Sequence, residues 1–454
     1  MSKKRLYHLL AILMVVVLTI SACAPAATQA PAATDAPAVP AATDAPVATE
    51  APVEPVTLIY SIFDDQKSRD ITQALADGYM ALHPNVTITI EVRPTGAEGD
   101  NLVKTQLATG EMSDIFMYNS GSLFQALNPS ETLVDISGEP FIANIVESFL
   151  PTVSQNGGIF GVPTDTAMGG GILYNRKIYA DLGLSVPTTW AEFEANNEKI
   201  KAAGIAPVIA TYGDTWTSQL FVLGDYYNVQ QANPTFAADY TGNKAKYASI
   251  PEAMNGFAYL QEGFDKGWYQ KDFETTKFEQ GLKLLADGEG AHYPMLTFAL
   301  GTIATNSPDA ANDIGFFGIP GTDASKAGAT IWMPAGTYIT KTSEHIEEAK
   351  DFLAFIASTD GVDAITAKVL PVGPYLIKGT SLPDEVLQGV KDMAAYIDSG
   401  NTSPALEFLS PIKGPSLEQI CVAVGTGQTD AATAAADYDV DVEKQAQQLG
   451  IPGW

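Results

Sequence analysis

The chain has 454 residues, 46% of them hydrophobic, and 53 Asp and Glu against 25 Lys and Arg give it a net charge of −28. A surface this acidic repels nucleic acid and anionic lipid. A body this long exceeds the ~250–300 residues at which a single core stops growing, so two domains are expected. Only two cysteines are present, Cys23 and Cys421, which excludes a disulfide framework.

Lys3, Lys4 and Arg5 form a positive head, and Leu9 to Ile20 is an almost unbroken apolar run. That run has the length of a signal-peptide core and is too short for a stable bilayer-spanning helix. Ile20-Ser21-Ala22-Cys23 follows and resembles the bacterial lipobox, in which the cysteine is lipidated and becomes the new N-terminus. The alternative is a plain secretory signal with an incidental cysteine. Residues 1–22 are thus expected to be a signal peptide and Cys23 a membrane anchor. The segment 23–55 is almost all Ala, Pro, Thr, Val, Asp and Glu, with PAATDAP at Pro31–Pro37 and again at Pro40–Pro46. It has too little apolar surface to fold and is expected to be a disordered tether.

The body opens with a β-rich run, Val56–Ser61, followed by Asp64 and Asp65. Ile71, Leu75, Tyr79 and Leu82 recur at helical spacing up to Pro84, and Val86–Val92 alternates as a strand. A helix through Leu102–Thr109 ends at Gly110, and Asp114–Tyr118 reads as a third strand. This β-α-β-α-β order predicts an α/β sheet with parallel crossovers. Gly161–Pro163 and Ile172–Tyr174 read as short strands joined through the glycine-rich Thr164–Gly171. Thr189 and Glu192 form a capping box for a helix carrying Trp190, Phe193 and Ile200, which Gly204 stops. Pro207–Thr211 is another strand, so a second α/β unit is expected after the joint. Ile314–Gly321 reads as a strand and turn, and Ile331–Thr340 as an extended pair. Ser343 is expected to cap a helix with Ile346, Ala349, Leu353 and Ile356 inward. Beyond Pro404 the chain reads as mostly helical. Cys421, in an apolar context, reads as a buried small hydrophobe, and Trp190 and Trp268 as packing residues.

No G-x-S-x-G elbow, P-loop or H-E-x-x-H is present. The histidines His8, His83, His292 and His345 are scattered, and no pair has metal-ligand spacing. Aromatics and short polar residues instead sit at strand ends: Asp64 and Asp65, Asn119 and Ser120, Asp165, Tyr212 and Trp216. Ligands of open α/β sheets bind beyond the C-terminal strand ends. Carboxylates accept hydroxyl hydrogen bonds and flat rings cover the apolar face of a sugar, so a neutral polyol suits this set. Each residue also has a plain structural role open to it. Asp64 or Asp65 serves equally as a helix N-cap, Asp165 as a turn former, and Trp216 as core.

Taken together, the residues resemble the extracellular solute-binding proteins of ATP-driven importers, specifically the sugar-binding family. Gly161-Val162-Pro163, Tyr174-Asn175-Arg176 and Pro187-Thr188-Thr189-Trp190-Ala191-Glu192-Phe193 resemble its G-V-P, Y-N-K/R and P-x-T-W-x-E-F signatures in order. Gly110–Phe116, Ile314–Gly321 and the Ala349-x-x-Phe352-Leu353 helix resemble further landmarks. The resemblance implies a two-lobed, periplasmic-binding-protein-like α/β fold of type II, with mixed sheets flanked by helices and a hinge between lobes. One lobe would hold 56–166 with about 321–380, and the other about 167–320 with about 381–454. The crossings would lie near Thr166–Gly171 and Pro320–Ala335. Ligand positions carry over to Asp64 or Asp65, Asn119, Asp165, Trp216 and the Tyr293–Phe298 stretch. Phe298 stands where members often have tryptophan, and Trp332 is added from its chemistry.

The implied protein is a monomer that captures a mono- or small oligosaccharide outside the cell, without catalysis, cofactor or metal. It would deliver the sugar to an ABC permease and its ATPase, and touch the membrane only through the lipid. The same fold binding a polyamine, peptide or phosphate ester stays open. So do a secreted glycosidase and a lipoprotein that reports sugar to a sensor.

Overall fold

The computed structural model describes residues 54–454. The signal segment 1–22, Cys23 and the tether as far as residue 53 lie outside the described residues.

Two mixed sheets organise the body. The first strand, β1 (Val56–Phe63), leads into helix α1 (Gln66–Leu82), strand β2 (Val86–Arg93), helix α2 (Gly96–Thr109) and strand β3 (Ile115–Tyr118). β1 pairs in parallel with β2 and with β3, as the expected parallel crossovers require. Every side chain of β3 is buried, the mark of a strand covered on both faces. β4 (Gly161–Pro163) is the far edge of this sheet.

The chain then passes through residues 164–167 into β5 (Met168–Asn175), the spine of the second sheet. Helix α3 (Trp190–Ala202) follows, then β6 (Ala206–Val208), helices α4 (Pro251–Asp265) and α5 (Phe278–Asp287), β7 (Gly290–Leu296), helix α6 (Ala299–Asn306) and β8 (Ile314–Phe317). β9 (Ala329–Trp332) stays in the second sheet, pairing antiparallel with β5. Across Met333–Ala335 the chain returns to the first sheet as β10 (Gly336–Ile339), inserted antiparallel between β3 and β4. Helix α7 (Ile346–Ile356) packs on the first core. After Ile377 the chain goes back to the second lobe, with α8 (Gln388–Asp398), β11 (Thr402–Pro404) beside β9, and the terminal helix α9 (Ala431–Gln448).

Each sheet has its own core. One gathers Leu58, Tyr60, Phe116, Tyr338 and Phe352. On the second lobe, Trp190, Phe193, Trp268 and Phe317 pack on one side and Leu173, Leu300 and Ile314 on the other. Trp268 is fully buried, with its indole N–H donated to Glu198 (2.8 Å), and Trp190 donates to Glu262 (2.8 Å). Both are packing residues, and Cys421 is buried and free.

Three local expectations shift. The capping box of Thr189 and Glu192 is present as read, but α7 starts two residues later than Ser343 implied. His345 is its N-cap residue, while the Ser343 hydroxyl donates to Asp114 (2.6 Å) and accepts from the His345 N–H (3.1 Å). Helix α2 begins at Gly96 rather than near Leu102. Gly169, Gly170 and Gly171 lie in β5 rather than in the joint. Their role there is close approach: a Cβ on Gly170 would lie 2.1 Å from the Trp332 ring, and one on Gly171 2.3 Å from the Phe317 carbonyl oxygen.

Candidate functional site

A cavity of about 720 Å³ lies between the two sheets, at the strand ends and passages just described. Asp64, Asp65, Asn119, Asp165, Trp216, Phe298 and Trp332 all line it. They come from segments up to 268 positions apart in sequence, brought together because β1, β3, β4, β7 and β9 all end toward this space.

The seven differ in what already occupies them. Asp65 is the N-cap of α1, its carboxylate accepting from the Ser68 N–H (2.9 Å) and hydroxyl (2.7 Å). Burial pushes its carboxyl pKa up, against the pull of those two bonds. Asp64, half exposed, pairs with Arg69. Asp165, after β4, pairs with Lys67 from the first turn of α1, and that pair is nearly out of solvent, with side chains 15% and 7% exposed. The backbone carbonyl of Asn119 accepts from Tyr338 (3.3 Å), and the adjacent Ser120 hydroxyl donates to the Pro334 carbonyl (2.9 Å), tying β3 to the Met333–Ala335 passage.

Aromatic rings stand at two places. Trp216 lies on a 3₁₀ turn, Thr215–Gln219, and its ring centroid is 5.3 Å from that of Phe278 and 6.2 Å from that of Phe298. Lys67 Nζ sits 5.9 Å from the Phe298 ring centre, within cation–π range. The Trp332 ring lies close to Gly170, and its indole N–H donates to Glu407, which in turn faces Lys413 at 3.6 Å.

Sequence reasoning missed Lys67, Asp100, Gln219, Phe278, Glu407 and Lys413, all of which line the cavity. Burial raises the Asp100 carboxyl pKa, opposed by the charges of Lys104 and Lys413. Only Lys67 and Gln219 carried a local signal, being near Asp65 and Trp216. Of the Tyr293–Phe298 stretch, Leu296 and Phe298 reach the cavity. Tyr293 is buried behind it, sharing a 2.6 Å hydrogen bond with Thr211. Tyr212 is buried as well and does not line the cavity.

His292 is not available for chemistry. It is fully buried, its ring nitrogens bound to the Pro207 carbonyl (2.9 Å) and the Tyr179 hydroxyl (2.7 Å), and burial drives its pKa down to about 3. Among the described residues no group of three or more His, Cys, Asp or Glu is placed to hold a metal ion. No described helix is long and apolar enough to cross a membrane.

Residues 64–363 match the family model described as bacterial extracellular solute-binding protein. The chain is 23% identical over 317 residues to the multiple sugar-binding protein of Streptococcus mutans, covering 67% of this chain and 72% of that protein. It is also 23% identical over 312 residues to the melibiose/raffinose/stachyose-binding protein MelE of Bacillus subtilis, covering 66% and 69%. Among solved structures, a chitin oligosaccharide binding protein superposes with a TM-score of 0.73 at 20% identity, over 87% of this chain and 99% of that one. The raffinose complex of RafE gives 0.69 at 20% identity, over 86% and 99%. The fold is therefore the two-lobed one of these binding proteins, and the chain belongs to the bacterial extracellular solute-binding protein family.

Proposed function

We propose that this protein captures a neutral sugar outside the cell, by closure of its lobes around the ligand, and hands it unaltered to an ABC importer. The observation that carries this reading is the composition of the cavity wall: aromatic rings at two places, with carboxylates between them. Rings cover the apolar faces of pyranoses, and carboxylates accept their hydroxyl protons. The alternatives fit this wall less well. A phosphate ester calls for a lining of arginine or lysine; among the described residues no arginine lines the cavity, and its lysines Lys67, Lys104, Lys277 and Lys413 are outnumbered by carboxylates, with Lys67 already paired to Asp165. A polyamine site would not need the Trp216–Phe278–Phe298 cluster. The volume suits more than one sugar ring, in line with the melibiose, raffinose and stachyose named for the relative from B. subtilis.

Three further parts of the reading rest on sequence and family. Lipidation of Cys23 would hold the monomeric body near the membrane on the Ala/Pro-rich tether. A membrane permease and its ATPase would receive the sugar. No catalytic step is assigned to the chain.

A thermal-shift panel of mono-, di- and trisaccharides, a polyamine, a peptide and a sugar phosphate tests the ligand class, because a ligand of the folded state alone raises the melting point. At least one neutral sugar is expected to raise it clearly. Trp216→Ala is expected to weaken that sugar about tenfold, ~1.4 kcal/mol. A response only to the amine, peptide or phosphate would overturn the reading.

A further inference from the structure

Gln219 ends the 3₁₀ turn Thr215–Gln219, three residues after Trp216. Such a turn has three residues per revolution, so side chains at i and i+3 eclipse. Trp216 and Gln219 accordingly share a face, and both line the cavity. Their surroundings differ. Trp216 rests on Phe278 and Phe298. Gln219 is only 7% exposed, and among the described residues nothing donates to its Oε1.

The hydroxyls of the turn all have partners, and that of Thr215 donates to the Glu418 carboxylate (2.7 Å). The Thr217 hydroxyl donates to the Thr211 carbonyl (2.8 Å), and the Ser218 hydroxyl to the Thr215 carbonyl (2.7 Å). The amide oxygen of Gln219 thus contributes no hydrogen bond to the fold. Leaving a buried acceptor bare works against stability, and an apolar side chain of the same size would fill the space without that penalty. A polar group kept at such a position, on the cavity wall beside a stacking ring, points to a partner that arrives from the cavity.

We propose, building on the sugar-binding reading above, that Gln219 is a specificity-determining residue. Its amide reads a hydroxyl on the sugar ring that lies against Trp216. A carboxamide offers an acceptor and two donors in one plane, and a sugar hydroxyl can both donate and accept. Oε1 is shielded from solvent as the side chain stands, so the amide turns about χ3 to meet the sugar, and a hydroxyl that points at it is paired. The epimer at that carbon leaves the amide bare. A site built to hydrogen-bond a hydroxyl rejects an analogue lacking it far more strongly than an apolar pocket does.

The test is calorimetric titration of wild type, Gln219→Met and Gln219→Glu. The probes are methyl glycosides and disaccharide pairs that differ at one hydroxyl, including cellobiose and lactose, which are epimers at a single C4. The melting point of each protein without sugar is measured alongside. Wild type is expected to separate its best sugar from that sugar's worst single-hydroxyl relative at least tenfold. Gln219→Met should shrink the ratio below about threefold while melting at or above the wild-type temperature. Gln219→Glu keeps acceptors but not the donor and should give an intermediate ratio. Where Gln219→Met does not fold, Gln219→Leu, which also lacks the amide, takes its place, and a wild-type ratio there overturns the proposal. A lowered melting point with an unchanged ratio in Gln219→Met makes the residue structural and also overturns it, as does a wild type that does not discriminate between epimers. A wild type that binds no sugar at all removes the sugar-binding reading, and this inference with it. An unchanged ratio in a sugar-binding protein removes this inference alone.

Discussion

Lys67 shows how a residue of the cavity wall is tied into the fold. Its ammonium is nearly buried, paired with Asp165 and close to the Phe298 ring. Removing one partner of such a pair leaves an uncompensated charge, so the pair holds α1 against β4 and fixes where the Asp165 carboxylate faces the cavity. Trp332, Glu407 and Lys413 form a comparable chain on the other wall. His292 has the contrary role, and its consequence is a pH dependence. It stays neutral in the folded protein because burial holds its pKa near 3, whereas an unfolded histidine titrates near 6.5. Between these values the unfolded chain binds the extra proton, so stability is present above pH ~6.5 and is lost as pH falls below it. The loss is about 1.4 kcal/mol per pH unit. Melting points of wild type and His292→Gln between pH 7.5 and 5 check this. Wild type should be the more stable at pH 7.5, with the gap narrowing toward pH 5; parallel curves would contradict the assignment.

At the scale of elements, β5 sets the shape of the cleft. Its glycine run lets the Trp332 ring of β9 and the Phe317 carbonyl of β8 lie against the β5 backbone with no side chain between. Gly170→Ala is expected to push the Trp332 ring off its seat and cost about 1–3 kcal/mol of stability. It should weaken sugar binding in the same protein, read by denaturant melts and titration. An unchanged affinity would show that Trp332 is not part of the ligand surface. The same strand marks the limit of what the sequence discloses. Three glycines in a row suggest backbone freedom, and only the three-dimensional neighbours show that they serve close packing instead. Signals confined to a few residues were readable: the Thr189–Glu192 capping box, the stop at Gly110 and the inward Trp190. Strand-end placement likewise brought Asp64, Asn119 and Asp165 to one side of the cavity, because the C-terminal ends of parallel strands share one edge of a sheet, and Trp216 faces them from the second sheet's side. Glu407 and Lys413 carried no such signal. They reach the wall through β11, which joins β9 more than 70 positions earlier in the chain.

For the whole molecule, the two sheets are linked by extended passages at residues 164–167, at Met333–Ala335 and after Ile377. Rigid cores on either side of short connections are the arrangement from which hinge closure arises. Contacts already reach across the cleft. A Cβ added at Gly96, at the start of α2, would lie 3.8 Å from the Trp216 ring, and one at Gly121 only 2.6 Å from the Glu407 carbonyl oxygen. Closing on a ligand would engage both rims of the cavity, and the proposed sugar would be held by groups that neither lobe presents alone. A crystal structure of the protein with the sugar that gives the largest thermal shift tests this account most directly. An intact sugar is expected between Trp216 and Trp332, touched by residues of both lobes. A sugar bound to one lobe outside the cavity, or one with its glycosidic bond cleaved, would contradict it.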